Sequence, residues 1–505
     1  MKKQYSIMLR VLCVVLSLSL LITAFSGCKN SSDEDEYSIY TSVIQHVVDG
    51  DGNKVDDTNS TATGNKNDKT SSTGSSSDKT SGNSSNVETR EKTFTIVSSL
   101  LPDRNKKNKT VFEQMFYKRV EEVEKEHNVK IKVINTMGCD AAQMAPLIQA
   151  GKMVGNICKI EVRYLPALVA AGYAVPWDNV KGVDVNSPNF TAGYTKAATI
   201  KNKHYGLQFM KPPEVRYTVV MNKSLLKKAG IDADNIYDLI KNKKWNYDTL
   251  LDYAKKVTNA EKGIYGVGGN PEYLMEMLMS GNNANIVTFN SAGKARPTYT
   301  SKNVVEALNF MNQLINVDKV YKKISTMSSK AGFAAPDYIS EFVQGRCAFL
   351  FEDSWVLNQK IRPKVKNFDY GMISVPLGPS GTKYVSSSGH ARVFYITSTN
   401  KHLDFTAQIF NALSKAPSGY EGDQWWKDEI ALDYFQNGDS KSLDIYLNSL
   451  DNMSFDYGLG MDNVFDGFKD AAFGSIFWNS GKTPSAALES IKGNYDSAIN
   501  DFFNK

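Results

Sequence analysis

The five histidines stand at positions 46, 127, 204, 390 and 402, and their spacing matches no metal-ligand motif. The chain has no glycine-rich phosphate loop ending in Lys-Ser/Thr, no HExxH and no GxSxG nucleophile elbow. Gly266-Val267-Gly268-Gly269-Asn270 is glycine-rich but lacks the dinucleotide fingerprint and its downstream acid, so it reads as a loop. No motif supports an enzyme, and no cofactor or metal is expected. Cys158 and Cys347 fall in apolar runs and read as buried thiols. A Cys139–Cys158 bridge stays open, because spacing does not establish the geometry. What remains is chemistry for holding a polar solute. Arg163 and Tyr164 end one predicted strand, and Ser98 and Ser99 end another. Open α/β sheets place ligands at those carboxyl ends. His390, in Ser387-Ser388-Gly389-His390, is either a binding or a structural histidine. Trp425-Trp426 either line a pocket or anchor packing, and Trp177 and Trp245 read as packing residues.

Such residues need a scaffold. Phe94 to Val97, Val129 to Ile134 and Ile157 to Val162 read as strands. Helices over Val111 to His127, Ala141 to Ala150 and Leu165 to Ala171 alternate with them. This βαβαβα order implies a mostly parallel sheet with helices on both faces. The alternation resumes with strands at Arg216 to Met221, Cys347 to Phe351 and Val393 to Ile396. Asn246 caps a helix over Asp248 to Lys256, and Ser485 to Phe503 reads as one closing amphipathic helix.

The 505 residues exceed one hydrophobic core, so more than one lobe is expected. The first 27 residues are an address. Lys2, Lys3 and Arg10 precede an apolar run too short to span a membrane. Ser26-Gly27-Cys28 resembles the bacterial lipobox, in which the cysteine is acylated after cleavage; Phe25 stands where Leu is usual. Residues 28–92 are polar and acidic, with no segment able to bury a core, and read as a disordered tether. Asp49-Gly50-Asp51-Gly52-Asn53 starts like a calcium loop, but Lys54 and Ser60 occupy two positions where that loop needs Gly and a bidentate acid. The charge of +5 resolves into +3 in the signal, −5 in the tether and +7 in the remaining body. That surplus is too mild to imply a nucleic-acid partner.

The body resembles family 1 extracellular solute-binding proteins, the maltose-binding-protein-like lipoproteins of bacterial ABC importers. Leu147-Ile148-Gln149-Ala150-Gly151 and Leu165 to Gly172 carry part of the likeness. Met221-Asn222-Lys223-Ser224-Leu225-Leu226-Lys227-Lys228-Ala229-Gly230 carries its most recognisable part, with Met221 where Tyr is common. Trp245 to Leu250, Phe342 to Ala348 and Trp355 complete it. The resemblance implies a two-lobed α/β fold of the type II periplasmic-binding-protein kind. Lobe 1 would span about 93–216 and 390–415, and lobe 2 about 217–389 and 416–505, with the ligand between them. It further implies capture of a carbohydrate, an oligosaccharide, outside the cell. Delivery would be to ABC permease subunits, by a lipid-anchored monomer at the membrane's outer face. A tethered glycan-active enzyme and a ligand sensor coupled to a membrane receptor are the alternatives. Sugar rings pack their C–H faces on aromatics and need donors and acceptors at their edges. By family position, Trp355 is the candidate platform, with Asp353 before it as acceptor or turn cap. Glu272 and Tyr273 match a binding segment by order along the chain.

Overall fold

The computed structural model describes residues 92–98, 101–135, 138–323, 335–387, 389–478 and 481–504. The signal, the tether with its calcium-like loop, Cys28 and Ser99 lie outside these residues. The described residues belong to one compact unit.

The strands that matter are β1 (Thr93–Val97), β2 (Lys130–Ile134), β3 (Ile157–Glu161), β4 (Ala174–Val175), β5 (Tyr217–Asn222) and β6 (Tyr265–Gly269). They continue with β7 (Cys347–Asp353), β8 (Tyr370–Ile373), β9 (Ser386–Ser387), β10 (Arg392–Thr397) and β11 (Met453–Ser454). One sheet runs β2-β1-β3-β10-β4 and a second runs β8-β5-β7-β6, while β9 pairs with β11. The expected two-lobed α/β architecture is therefore present. Pairing is more mixed than simple alternation implies. β1 is parallel to β2 and β3, whereas β10 runs antiparallel to β3 and β4. β5 runs antiparallel to β7 and β8, and only β7–β6 is parallel in that sheet. The reversed members, β5 and β10, are the strands that the chain enters after leaving the other sheet.

Alternation along the strands covers both faces of the first sheet. Phe94, Ile96 and Ile157 join one buried cluster with Phe394 and Phe410, while Val97, Cys158 and Ile160 join another. α1 (Val111–His127) is set by a capping box: Thr110 accepts from the Glu113 N–H, and the Glu113 carboxylate accepts from the Thr110 N–H. α2 (Tyr247–Val257) begins where expected, with Asn246 accepting from Thr249 N–H at 3.0 Å. Trp177 is buried and stacks on Phe410 at 4.2 Å between centroids. Trp245 is buried, with its indole N–H on the Ser374 carbonyl at 2.8 Å.

Two readings change, and one left open is settled. The glycine-rich 266–270 stretch is largely strand β6, not loop. A Cβ at Gly266 would lie 2.4 Å from the Ala254 Cα, and one at Gly269, whose φ is +136°, would lie 2.1 Å from the Phe351 oxygen. Only glycine lets α2 and β7 approach this strand so closely. The closing helix is two helices, Pro484–Glu489 and Lys492–Phe503. Between them the Ser490 hydroxyl donates to the Ala487 carbonyl, a local bond of the kind that competes with helical pairing. Cys139, Cys158 and Cys347 are buried and in no disulfide, so the Cys139–Cys158 bridge left open is not formed.

Candidate functional site

Strand register builds the site. At the end of β3, Glu161 lies opposite Arg392 of β10. The Val162 N–H donates to the Ala391 carbonyl at 2.7 Å and the Arg163 N–H to the Gly389 carbonyl at 3.1 Å. Those bonds fix His390 against Glu161, with Nδ1 3.3 Å from Oε2. Arg163 Nε donates to the same oxygen at 2.9 Å, and its guanidinium lies 4.7 Å from the Tyr164 ring centre.

In the second sheet, the end of β7 sets Asp353 opposite Tyr217, the first residue of β5. α3 (Pro271–Gly281) follows β6 and is capped by Asn270, which accepts from the Glu272 N–H. One face of α3 delivers Tyr273 and, a turn later, Glu276. Tyr217 and Tyr273 pack 4.7 Å apart. His390 meets both edge-on, at 5.6 and 5.7 Å. Three rings, carried by the segment before β10, by β5 and by α3, thus converge. The Tyr217 hydroxyl donates to Glu276 Oε1 at 3.4 Å, and Oε2 has no partner.

The charges around these rings are desolvated and largely paired. Arg216 Nη2 donates to Asp353 at 2.6 Å, and Nη1 to Glu214 at 3.1 Å. Burial drives Lys159 down to about 8, although Glu214 opposes the shift. Burial, with Glu272 and Asp456 nearby, drives the Glu276 carboxyl well above its ordinary value. Glu161 goes the other way. Burial raises it, but His390, Arg163 and Arg392 together outweigh burial and hold it at about 2. A depressed carboxyl contributes stability above its unfolded pKa near 4.5, and that stability is lost as pH falls through about 2. Glu161→Gln should therefore cost about 2–3 kcal/mol at pH 7, with the gap from wild type closing toward pH 2. Urea melts at pH 7 and pH 2.5 check this; a gap independent of pH would contradict it.

The predicted residues separate into groups. Arg163, Tyr164, Tyr273 and His390 come together. Asp353 lies at the edge of the group, but its oxygens already serve the Arg216 guanidinium and, at 3.3 Å, the Trp355 N–H. It is a turn cap and counter-ion. Trp355 is half-buried just after β7, with the Lys360 ammonium 5.8 Å from its ring centre. Glu272 is half-buried and pairs with Lys469 at 3.3 Å. Ser98 is fully buried at the end of β1, its N–H on the Ile134 carbonyl. Trp425 is not brought to the rings. It packs with Phe112 and Tyr420 beside α1, lining a cavity of about 180 Å³ with Phe116 and Met210. Sequence reasoning did not single out Glu161, Tyr217 and Glu276 as members of this cluster. Helical spacing from Glu272 and Tyr273 was the available signal for Glu276; for Glu161 and Tyr217, only register across the sheets reveals the grouping.

Comparison with known proteins decides the family. Residues 106–419 match the family described as bacterial extracellular solute-binding protein. The chain belongs to that family. A Brucella abortus chain named only as a binding protein is 24% identical over 288 residues, covering 55% of this chain and 64% of the relative. The solute-binding protein thus spans just under two thirds of that curated relative. Among solved structures, it resembles the Listeria monocytogenes ABC substrate-binding protein in complex with cycloalternan: 15% identity, 82% and 99% coverage, TM-score 0.54. It also resembles maltose-bound MalE3 of T. maritima, at 15% identity, 81% and 100% coverage and TM-score 0.53. UgpB of Mycobacterium tuberculosis in complex with glycerophosphocholine matches at 14% identity, 81% and 98% coverage and TM-score 0.57. The shared fold is two-domained, and the family and these neighbours are binding proteins. Among the described residues, no helix is long and apolar enough to cross a membrane.

Proposed function

We propose that the solute-binding protein captures a carbohydrate, an oligosaccharide, outside the cell and delivers it unchanged to the permease of an ABC importer. The convergence of Tyr217, Tyr273 and His390 from segments of both sheets carries this reading. Rings offer surfaces for the C–H faces of a sugar, while Glu161, Arg163 and Glu276 offer acceptors and donors for its hydroxyls. Because elements of both lobes contribute, a ligand there would favour the closed arrangement by contacting both at once. The cycloalternan and maltose complexes of its structural neighbours support a saccharide.

A melting-temperature screen over mono- and oligosaccharides tests it. Ligand at a hundred times its Kd should add about 2.7 kcal/mol of stability. No shift with any saccharide, but a shift with glycerophosphocholine, would move the ligand to another class. Released reducing ends after incubation with oligosaccharides would instead support an enzyme. Trp355→Ala should weaken sugar binding about 30-fold, the loss of one aromatic anchor, with an unchanged circular dichroism spectrum. Titration calorimetry reads this, and unchanged affinity removes Trp355 from the site.

We further propose that Cys28, freed by cleavage after Gly27, carries the lipid anchor and holds a monomer at the outer membrane face. Mass spectrometry of the membrane-extracted N-terminal peptide checks the acylation; an unmodified Cys28 thiol would refute it.

A further inference from the structure

Four lysines border two adjoining cavities, without a carboxylate counter-ion among the described residues. Lys241 ends the helix Asn235–Lys241 and Lys243 stands two residues on, and with Lys383 they line a cavity of about 290 Å³. Lys383 also borders an adjoining cavity of about 240 Å³, which it shares with Lys196 at the end of the helix Ala192–Ala197. Among the described residues, no ion pair joins any of the four to a carboxylate. The Lys243 ammonium donates only to the Thr382 carbonyl, at 3.2 Å. Other lysines of this chain find acids: Lys223 pairs with Asp439 at 2.7 Å and Lys441 with Asp234 at 3.0 Å. The Lys196 ammonium stands close enough to Lys383 to push the latter below its ordinary value, with burial adding to the effect.

A second observation comes from the floor of the larger cavity. Thr218 lines it, is wholly buried, and its hydroxyl has no hydrogen-bond partner among the described residues. Ser374 and Asn448 add a hydroxyl and an amide to the wall. Among the described residues, no carboxylate lines either cavity. Facing ammonium groups repel one another, and an unpaired buried hydroxyl is costly, so both features favour a bound multivalent anion. Ammonium groups serve phosphate as point charges, and hydroxyls and amides complete the donor set.

We propose that Lys196, Lys241, Lys243 and Lys383, with Thr218, form a binding site for a phosphate dianion, free or esterified to a small solute. The site abuts the three-ring cluster, because Tyr217, next to Thr218 on β5, also lines the larger cavity. It does not depend on the sugar assignment.

The test titrates the purified chain with sodium phosphate against sodium chloride at equal ionic strength, by calorimetry and by melting temperature. Phosphate should bind and raise the melt where chloride does not. Lys383→Gln and Lys196→Gln should each weaken phosphate about tenfold, as expected for loss of one charged hydrogen bond. Lys302→Gln, at an exposed lysine elsewhere, should leave affinity unchanged. In phosphate-free, low-salt buffer Lys383→Gln should melt no lower than wild type, because it removes a like-charge neighbour. Glucose phosphate binding more tightly than inorganic phosphate would identify an esterified ligand, and equal or weaker binding a free ion. Equal effects of phosphate and chloride, full affinity in the Lys196→Gln/Lys383→Gln double variant, or a lower phosphate-free melt would each overturn the site.

Discussion

Asp353→Ala is expected to destabilise the protein by about 3–5 kcal/mol, the range for breaking one side of a buried ion pair. Asp353 and Arg216 side chains are only 3% and 8% exposed, and their closest atoms are 2.6 Å apart. Burial, with Glu214 adding to it, raises the Asp353 carboxyl, while Arg216, His390 and the Trp355 N–H pull it part of the way back. The pair as a whole thus adds little, since desolvation offsets attraction. Losing one partner is different. Arg216 would keep its charge in a site that excludes water, with Glu214 as its remaining partner at 3.1 Å. The cap on the Trp355 N–H would be lost as well. The double variant Asp353→Ala/Arg216→Met should recover much of the loss, because no unpaired charge then remains buried. Urea melts of wild type, both single variants and the double give the cycle. A cost below about 1 kcal/mol for Asp353→Ala would place the pair in solvent rather than in the interior.

Glu352→Gln carries the second large effect, and its sign depends on pH. Glu352 is 1% exposed; its Oε2 accepts from the Asp353 N–H at 3.0 Å, and Oε1 has no partner. Burial lifts the carboxyl to about 8; the Asp353 N–H opposes that rise and the Asp353 charge adds to it. The folded chain therefore keeps a proton that the unfolded chain releases near 4.5. Wherever the folded state binds more protons, stability falls as pH rises. The contribution is complete below about 4.5 and is lost progressively up to about 8, a change on the order of 4–5 kcal/mol. Glutamine keeps the shape and has no proton to release. Stability of Glu352→Gln relative to wild type should thus grow from pH 4.5 to pH 8. Melts at pH 5, 6.5 and 8 read the slope directly, and a constant difference would show that Glu352 is already ionised in the folded chain.

Neither prediction was available from sequence. Glu352 and Asp353 lie next to each other on one strand, so opposite faces of β7 receive them, and their environments follow from what each face meets. Arg216 is 137 positions away from Asp353, and only the antiparallel pairing of β5 with β7 sets them side by side.

Much else was legible because its cause is local. Apolar periodicity marks α1 and β2, Thr110 and Asn246 mark helix starts through their own side-chain bonds, and the Trp245 and Met221 segments carry the family resemblance. Such features depend on residues within a few positions of one another, so sequence alone determined the two-lobed α/β class and the family. It also singled out Arg163, Tyr164, Tyr273 and His390. Tertiary structure brought those four together. It turned a glycine loop into a strand, because α2 and β7 press against Gly266 and Gly269. It set Trp425 beside α1 instead of among the rings. It brought Glu161, Tyr217 and Glu276 to His390, and Lys196 to Lys383. Those meetings depend on the register and crossing of strands far apart in the chain, where no short-range pattern records who becomes whose neighbour.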